Sequence, residues 1–139
     1  MSCASPSIAL PPLRVTRGAS RAWLFTVNLV ATGAPQDLTG ALVWFTVKGR
    51  LEDVAAAITK ANSAAGGVDN QVLIITPQTG ISVGAFKVFL TPADTSPLSP
   101  RTYWCDAFVQ LPGSAPINRQ QVMANRQLVV DPAVTTVFT

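Results

Sequence analysis

Short apolar runs with a period of two are the feature that most limits what this chain can fold into. In the two clearest runs the alternating positions are Trp23, Phe25, Val27 and Leu29, and then Ala41, Val43, Phe45 and Val47. Successive side chains of a β-strand point to opposite faces, so each run predicts a strand with one buried face. Glycine and proline residues, which favour turns, separate such runs along the chain. The pattern therefore favours short strands joined by turns.

The other apolar runs predict further strands of similar length. The predicted strands are 13–16, 21–30, 41–48, 56–60, 71–76, 82–90, 102–111 and 119–130, with a last piece at 134–138. Part of the segment 51–61 also suits a helix, at Val54–Ile58, but we favour the strand. Gly66-Gly67 predicts a hairpin turn. The prolines between 91 and 100 predict a crossing between sheets without regular strand pairing.

The number and spacing of these strands predict an all-β protein. Seven or eight short strands with turn signals between them indicate an antiparallel sandwich or barrel, and no amphipathic helix of normal length interrupts them. A chain of 139 residues matches one domain with one core. We expect that domain to span 13–131, after an extended N-terminal arm at 1–12 and before a C-terminal tail or edge strand at 132–139.

The composition predicts a surface that packs against a partner. Hydrophobic residues make up 48% of the chain and charged residues only 12%, about half the usual charged share. Large uncharged surfaces usually mark interaction sites. The two extended ends also suit docking by strand addition. The candidate interface residues are Pro6, Pro11, Pro12, Trp44, Trp104 and Phe138.

The residue types present argue against catalysis and metal binding. The chain contains no histidine, which is the usual general acid or base near neutral pH and the commonest metal ligand. Two cysteines without histidine cannot complete a structural zinc site. No phosphate-binding glycine motif opens a helix. We therefore expect no catalytic residues, no metal site and no cofactor.

Charge and hydropathy also limit the classes of partner. The net charge is +3 and the basic residues are scattered, whereas nucleic-acid binding favours clustered cations beside exposed aromatics. The apolar stretches fall far short of the roughly 20 residues that span a bilayer, and residues 1–12 lack the features of a secretory signal. The sequence therefore predicts neither a nucleic-acid nor a membrane partner.

The two cysteines are expected to be free thiols within the chain. Cys3 lies in the arm and Cys105 in a predicted strand, so an internal disulfide would need the arm to fold back onto the sheet. Cys3 stays available for a disulfide to another molecule.

One local pattern resembles the tyrosine corner of immunoglobulin-like sandwiches. It reads Leu98-x-Pro100-x-x-Tyr103-x-Cys105. In that corner the tyrosine ring packs under the turn into a strand and its hydroxyl bonds a nearby backbone group. No cysteine stands on the strand that contains Trp23, so a disulfide of the antibody type is not expected. The corner favours an immunoglobulin-like antiparallel β-sandwich of 7–8 strands.

Several segments taken in order resemble one known family. They are Arg17-Gly18, Trp23 to Val27, Asp37-Leu-Thr-Gly-Ala, Val43-x-Phe45-x-Val47, Gly80 ahead of Ala85 to Leu90, Thr91 with Asp94-Thr95, and Tyr103-Trp-x-Asp106. Together they resemble the small immunoglobulin-like structural domains of tailed bacteriophages, including the N-terminal domain of baseplate upper proteins. The resemblance extends from about residue 13 to residue 136.

The resemblance implies structural roles for the residues that carry it. Asp37, Thr39 and Gly40 correspond to a turn that launches a core strand, and Asp106 to a polar residue on the strand after the corner. It implies a tail or baseplate adaptor in the virion, assembled in the host cytoplasm as a symmetric homo-oligomer that contacts other virion proteins. A capsid decoration or head-fibre protein is the alternative, and a carbohydrate-binding adhesin module is the alternative of another class.

Overall fold

The computed structural model describes residues 11–28, 33–50, 56–62, 65–67, 71–112 and 119–133. In this part of the chain the strands are β1 Leu13–Thr16, β2 Arg21–Thr26, β3 Leu42–Lys48, β4 Ile58–Ala61, β5 Val72–Ile74, β6 Ala85–Leu90, β7 Thr102–Gln110 and β8 Gln120–Asp131. One helical turn, α1, spans Pro92–Thr95, and a 3-10 turn spans Gly80–Ser82. The prediction of an all-β protein is confirmed.

The strands form two sheets. One has five strands in the order β1-β8-β7-β3-β4, and the other has three in the order β2-β6-β5. Among the described strands all pairs are antiparallel except β1 with β8, which run parallel from Leu13 opposite Leu128 to Thr16 opposite Asp131. The prediction of a wholly antiparallel sandwich is therefore wrong at this edge. After β1 the chain crosses to the other sheet instead of forming a hairpin, so β1 is free to run in the same direction as β8.

The core lies between the sheets and comes from the alternating residues. Val43, Phe45 and Val47 of β3 are completely buried, and so is Val88 of β6. Burial of one such side chain stabilises the fold by about 2 kcal/mol. Phe25 stacks on Phe45 with a centroid distance of 6.3 Å. The predicted inner face of β3 is confirmed.

The Gly66-Gly67 pair does not form the predicted hairpin turn. It lies between β4 and β5, which belong to different sheets. The amide of Gly67 donates to the carbonyl of Asn62 at 2.9 Å, and a Cβ on Gly67 would overlap the carbonyl oxygen of Ala61. The glycine is required because two backbone segments approach closely where the chain leaves β4.

The segment after β6 crosses from the three-stranded to the five-stranded sheet, as predicted, but it includes α1. Thr91 and Asp94 form a reciprocal capping box, in which each side chain accepts a hydrogen bond from the backbone amide of the other residue. These bonds satisfy two amide groups that would otherwise lack partners at the start of a helix. The proline-rich segment therefore contains one ordered helical turn.

Two other predictions about local structure have partial outcomes. The favoured strand at 56–60 is observed two residues later, as β4 at Ile58–Ala61. Of the alternative helix at Val54–Ile58, the first two residues lie outside the described residues and the other three are not helical. The last predicted piece at 134–138 also lies outside them. In the part of the chain that is described, no helix is both long and apolar enough to cross a membrane.

Candidate interaction surface

The outward side of β3 and β7 carries a cluster of aromatic side chains, which we call the aromatic face. Trp44, Trp104 and Phe108 define it, and all three are half-buried. Trp44 lies opposite Phe108 across the two strands, and Lys48 lies opposite Trp104. Directly opposite side chains in a sheet are close enough to contact each other. The strand register therefore joins rings that are distant in the sequence into one surface.

Arg119 covers one side of this surface. Its guanidinium carbon lies 4.4 Å from the centroid of the Trp44 ring, which is the geometry of a cation–π contact. Its Nε donates to Oε1 of Gln110 at 3.0 Å, which orients the guanidinium group. The basic residue that precedes β8 is thus part of the aromatic face.

Asp106 is the acidic residue of the aromatic face. It lies opposite Thr46 between the two tryptophan positions. Burial raises the pKa of its carboxyl group, while a hydrogen bond from Gln121 and the charge of Lys48 act in the opposite direction. The Gln121 bond is long, at 3.3 Å. The carboxyl group of Asp106 is thus partly buried on this face, with Gln121 and Lys48 as polar neighbours.

The predicted interface residues fall into two groups. Trp44 and Trp104 lie on the same face of the five-stranded sheet. Pro11 and Pro12 are exposed and precede β1. Pro6 and Phe138, together with the thiol candidate Cys3, lie outside the described residues.

The Asp37 turn is held by its own side chain. Oδ1 of Asp37 accepts from the Thr39 amide at 2.9 Å and from the Thr39 hydroxyl at 2.7 Å. These two bonds lower the pKa of Asp37. Gly40 has a φ of +74°, and Ala41 donates its amide to the carbonyl of Leu38 at 2.9 Å. The turn sends the chain directly into β3, whose outer side forms part of the aromatic face.

Tyr103 binds the backbone at the start of β7. Its hydroxyl donates to the carbonyl of Ser99 at 3.0 Å, and Leu98 is buried beside the turn while Pro100 is exposed. Arg101 lies over the tyrosine ring at 5.0 Å from its centroid. This is the hydrogen-bond pattern of a tyrosine corner. It fixes the start of the strand that carries Trp104 and Phe108.

An ion pair between a buried lysine and a partly exposed aspartate joins β4 to α1, and sequence reasoning missed it. Lys60 is only 6% exposed, and its Nζ lies 2.7 Å from Oδ2 of Asp94. Burial opposes ionisation of Asp94, but hydrogen bonds from Lys60 and Thr91 outweigh it and lower the pKa of this carboxyl group. The Thr91-x-x-Asp94 spacing signals the cap, whereas nothing near Lys60 in the sequence signals its partner.

Thr95 makes a tertiary contact that sequence reasoning did not predict. It is completely buried, and its hydroxyl donates to the carbonyl of Ala19 at 2.9 Å. It also accepts from the amide of Gly18 at 3.0 Å. The hydroxyl thereby ties α1 to the turn between β1 and β2.

Among the described residues there is no metal-binding cluster, and the cysteine is buried. No group of three His, Cys, Asp or Glu residues in the described ranges is close enough to hold a metal ion. Cys105 is a free buried thiol, and burial raises its pKa to about 12. A thiol that stays protonated is a poor nucleophile.

Comparison of the sequence with models of known protein families finds no match, and comparison with curated proteins finds none either.

Proposed function

We propose that this protein is a non-enzymatic structural component of a bacteriophage virion, an adaptor or connector of the tail or baseplate. It acts by packing the aromatic face against another virion protein. The observation that carries the proposal is the row of half-buried rings, Trp44, Phe108 and Trp104, on the outer side of a sheet whose inner side already forms the core.

The composition of the aromatic face supports docking to a protein. Interfaces are enriched in Trp, Phe and Arg and depleted of charged residues at their centre. In the aromatic face Arg119 contacts the Trp44 ring. Lys48 and Asp106 add one positive and one negative charge. Aromatic and arginine side chains of this kind dominate binding energies when a partner covers them.

The order of the strands supports an immunoglobulin-like sandwich. In that fold one sheet contains strands A, B, E and D, and the other contains C, F and G, with C′ added in the variable type. The first strand, β1, departs from this order because it pairs with β8 and not with β2. Strands β2, β6 and β5 match B, E and D, and strands β3, β7 and β8 match C, F and G, with β4 in the place of C′. Cys105 also stands two residues after Tyr103, as in antibody domains, but without a cysteine partner on β2.

The assignment to a virion is supported by the resemblance of the ordered segments from Arg17-Gly18 to Tyr103-Trp-x-Asp106 to small phage structural domains. Low charge and a large apolar fraction suit a protein that is mostly covered in an assembled particle. A symmetric particle would bring many copies of the aromatic face to equivalent positions.

The proposal is tested by measuring incorporation into particles. Heads and tails are separated from purified particles of the phage that encodes the gene, and the protein is quantified by mass spectrometry against the major capsid and tube proteins. We expect a few to a few tens of copies, confined to tails. Hundreds of copies on heads would favour a capsid decoration instead, and absence from both fractions would reject a virion role.

The same experiment with variants tests the aromatic face. We expect the double variant Trp44→Ser, Trp104→Ser to fold, by circular dichroism, but to be lost from tails. Leu73→Ser is the matched control, because Leu73 is 39% exposed on the outer side of the other sheet. Normal incorporation of the double tryptophan variant would contradict the role of this face.

A further inference from the structure

One end of the three-stranded sheet carries a fully exposed isoleucine. Ile81 lies in the 3-10 turn Gly80–Ser82 between β5 and β6, and its exposed fraction is 100%. Among the described large hydrophobic side chains it is the most exposed. Residues 71–86 contain no charged side chain. This turn, which we call the isoleucine tip, is therefore both apolar and uncharged.

The isoleucine tip is fixed by the side chain of Gln78. Its Oε1 accepts hydrogen bonds from the amides of Leu38 and Gly84, both at 2.9 Å. Its Nε2 donates to the carbonyl of Ile75 at 2.7 Å and to that of Ser82 at 2.9 Å. A loop that is already ordered loses little conformational entropy when it binds. The tip is thus suited to insertion into a pocket.

An apolar pocket lies on the same sheet. Its volume is about 330 Å³, and it is lined by Ser20, Arg21, Ala22, Phe89 and Leu90. An apolar cavity of roughly 150 Å³ already holds benzene, so this pocket has room for the four-carbon side chain of isoleucine. Because the tip is uncharged, it brings no like charge to the exposed Arg21.

The strand register places the tip and the pocket at opposite ends of this sheet. Arg21 lies opposite Leu90 at the pocket, whereas Thr26 lies opposite Ala85 near the tip. The six residues of β6 separate the two ends by about 17 Å. The tip therefore cannot enter the pocket of its own molecule, but a second copy can offer the pocket to it.

We propose that the isoleucine tip of one copy enters this pocket of a second copy and places Ile81 against Ala22 and Phe89. Because the two surfaces differ, the contact is heterologous and leaves one tip and one pocket free at the ends of a pair. Repetition of the contact closes a ring or extends a row of copies. The aromatic face lies on the other sheet and stays available for another protein.

The contact of a single isoleucine is weak between free molecules and is strengthened when many copies are held together. The test is therefore disulfide trapping of purified protein in the Cys3→Ser background, where the remaining thiol, Cys105, is buried. Thr79→Cys places a thiol beside the tip, and Ser20→Cys places one beside the pocket. Both positions are exposed.

The two single variants are mixed, one of them labelled with ¹⁵N, and oxidised with glutathione disulfide. Mass spectrometry then identifies the peptide that joins position 79 of one copy to position 20 of the other. We expect this peptide to form at least tenfold faster than the product of Thr79→Cys with Thr59→Cys. Thr59 is the matched control because it is exposed on β4 of the other sheet.

Addition of Ile81→Ser to the Thr79→Cys variant separates insertion of the tip from random collision. Because Ile81 is fully exposed, the substitution should leave the urea midpoint unchanged, while the rate of trapping with Ser20→Cys should fall to that of the control pair. Equal rates for the Ser20 and Thr59 pairs, or a rate that does not depend on Ile81, would overturn the proposal.

A variant with both Thr79→Cys and Ser20→Cys tests the heterologous arrangement. Its oxidation should give a ladder of products of more than two chains on a non-reducing gel, whereas a product that stops at two chains would overturn this arrangement. Both measurements use the purified protein alone, so their outcome is separate from that of the particle experiment.

Discussion

Single polar side chains in this protein act as connectors between segments that are far apart in the sequence. The Asn62 side chain is 6% exposed, donates to the carbonyl of Ala41 at 2.9 Å and accepts from the amide of Val43 at 3.1 Å. Buried polar groups are tolerated only when they are paired in this way. The Asn62 side chain thereby holds the start of β3, one of the two strands that carry the aromatic face.

Removal of the Tyr103 hydroxyl tests the corner. We expect Tyr103→Phe to lower the free energy of unfolding by about 1 kcal/mol, because the carbonyl of Ser99 loses its hydrogen bond while the ring stays in place. Urea denaturation followed by tryptophan fluorescence measures the change. Ser99→Ala keeps the Ser99 carbonyl and removes only the Ser99 hydroxyl. If this variant lowered the free energy of unfolding by the same amount, the effect would come from the Ser99 hydroxyl and not from the carbonyl.

The Cys105 thiol is expected to be unreactive in the folded protein. Its pKa of about 12 against the ordinary value of 9.0 means that the thiolate fraction at pH 8 falls on the order of a thousandfold. In Cys3→Ser, where Cys105 is the only thiol, a colorimetric thiol reagent should react only after urea is added. Stoichiometric reaction without urea would contradict the buried position of the thiol.

At the scale of elements, turns and crossings decide how the strands are joined. The Asp37 turn, α1 and the passage from β4 to β5 each depend on a few residues with special backbone or hydrogen-bonding properties. The passage from β4 to β5 depends on the absence of a side chain at Gly67, since the carbonyl of Ala61 occupies that space.

Two glycine variants separate a steric requirement from a conformational one. Gly67→Ala should lower the free energy of unfolding by about 3 kcal/mol or more, because a backbone segment must move. Gly80→Ala should cost about 1 kcal/mol, because Gly80 has a φ of +59° but open space where the alanine methyl group would lie. Urea denaturation of both compares them, and equal losses would argue against the close approach at Gly67.

At the scale of the whole molecule, polar contacts across the crossings connect the two sheets beyond the apolar core. Lys60 belongs to the five-stranded sheet, and Asp94 follows β6 of the other sheet. Because Lys60 is buried, loss of the negative charge on Asp94 leaves the lysine charge without compensation, which is costly. This contact therefore makes the stability of the sandwich sensitive to the ionisation of one carboxyl group.

Acid should weaken the fold through Asp94. Its pKa is lowered in the folded protein from 3.8, so its contribution is complete above that value and is lost as the pH falls through the lower folded value. We expect the free energy of unfolding, measured in urea from about pH 6 to about pH 2, to decrease below about pH 4. In Asp94→Asn, the part of this decrease that comes from protonation of Asp94 should be absent.

Asp131→Asn serves as the control for this acid effect. Asp131 pairs with Arg14 at 2.9 Å, but both side chains are well exposed. Exposed pairs contribute about 0–1 kcal/mol, so this variant should keep the acid dependence of the parent protein. An unchanged acid profile in Asp94→Asn would contradict the role of the Lys60 contact.

Local sequence patterns were enough to predict most of the described strands and the inner faces of β2 and β3. Alternation in β2 and β3 is a local property of an extended chain, so Trp23 and Phe45 could be assigned to the core without knowledge of their neighbours. The Thr91-x-x-Asp94 spacing likewise contains a local signal for α1, because a capping box involves only residues within one helical turn.

Which strands pair with each other depends on long-range packing. The parallel pairing of β1 with β8, the ion pair of Lys60 with Asp94 and the alignment of Trp44 with Phe108 all join segments distant in the sequence. Alternation specifies a face but carries no information about partner, direction or register, which depend on packing of the whole chain. For the same physical reason the role of Gly67 could not be predicted, because the carbonyl that excludes a side chain there is brought close only by the fold.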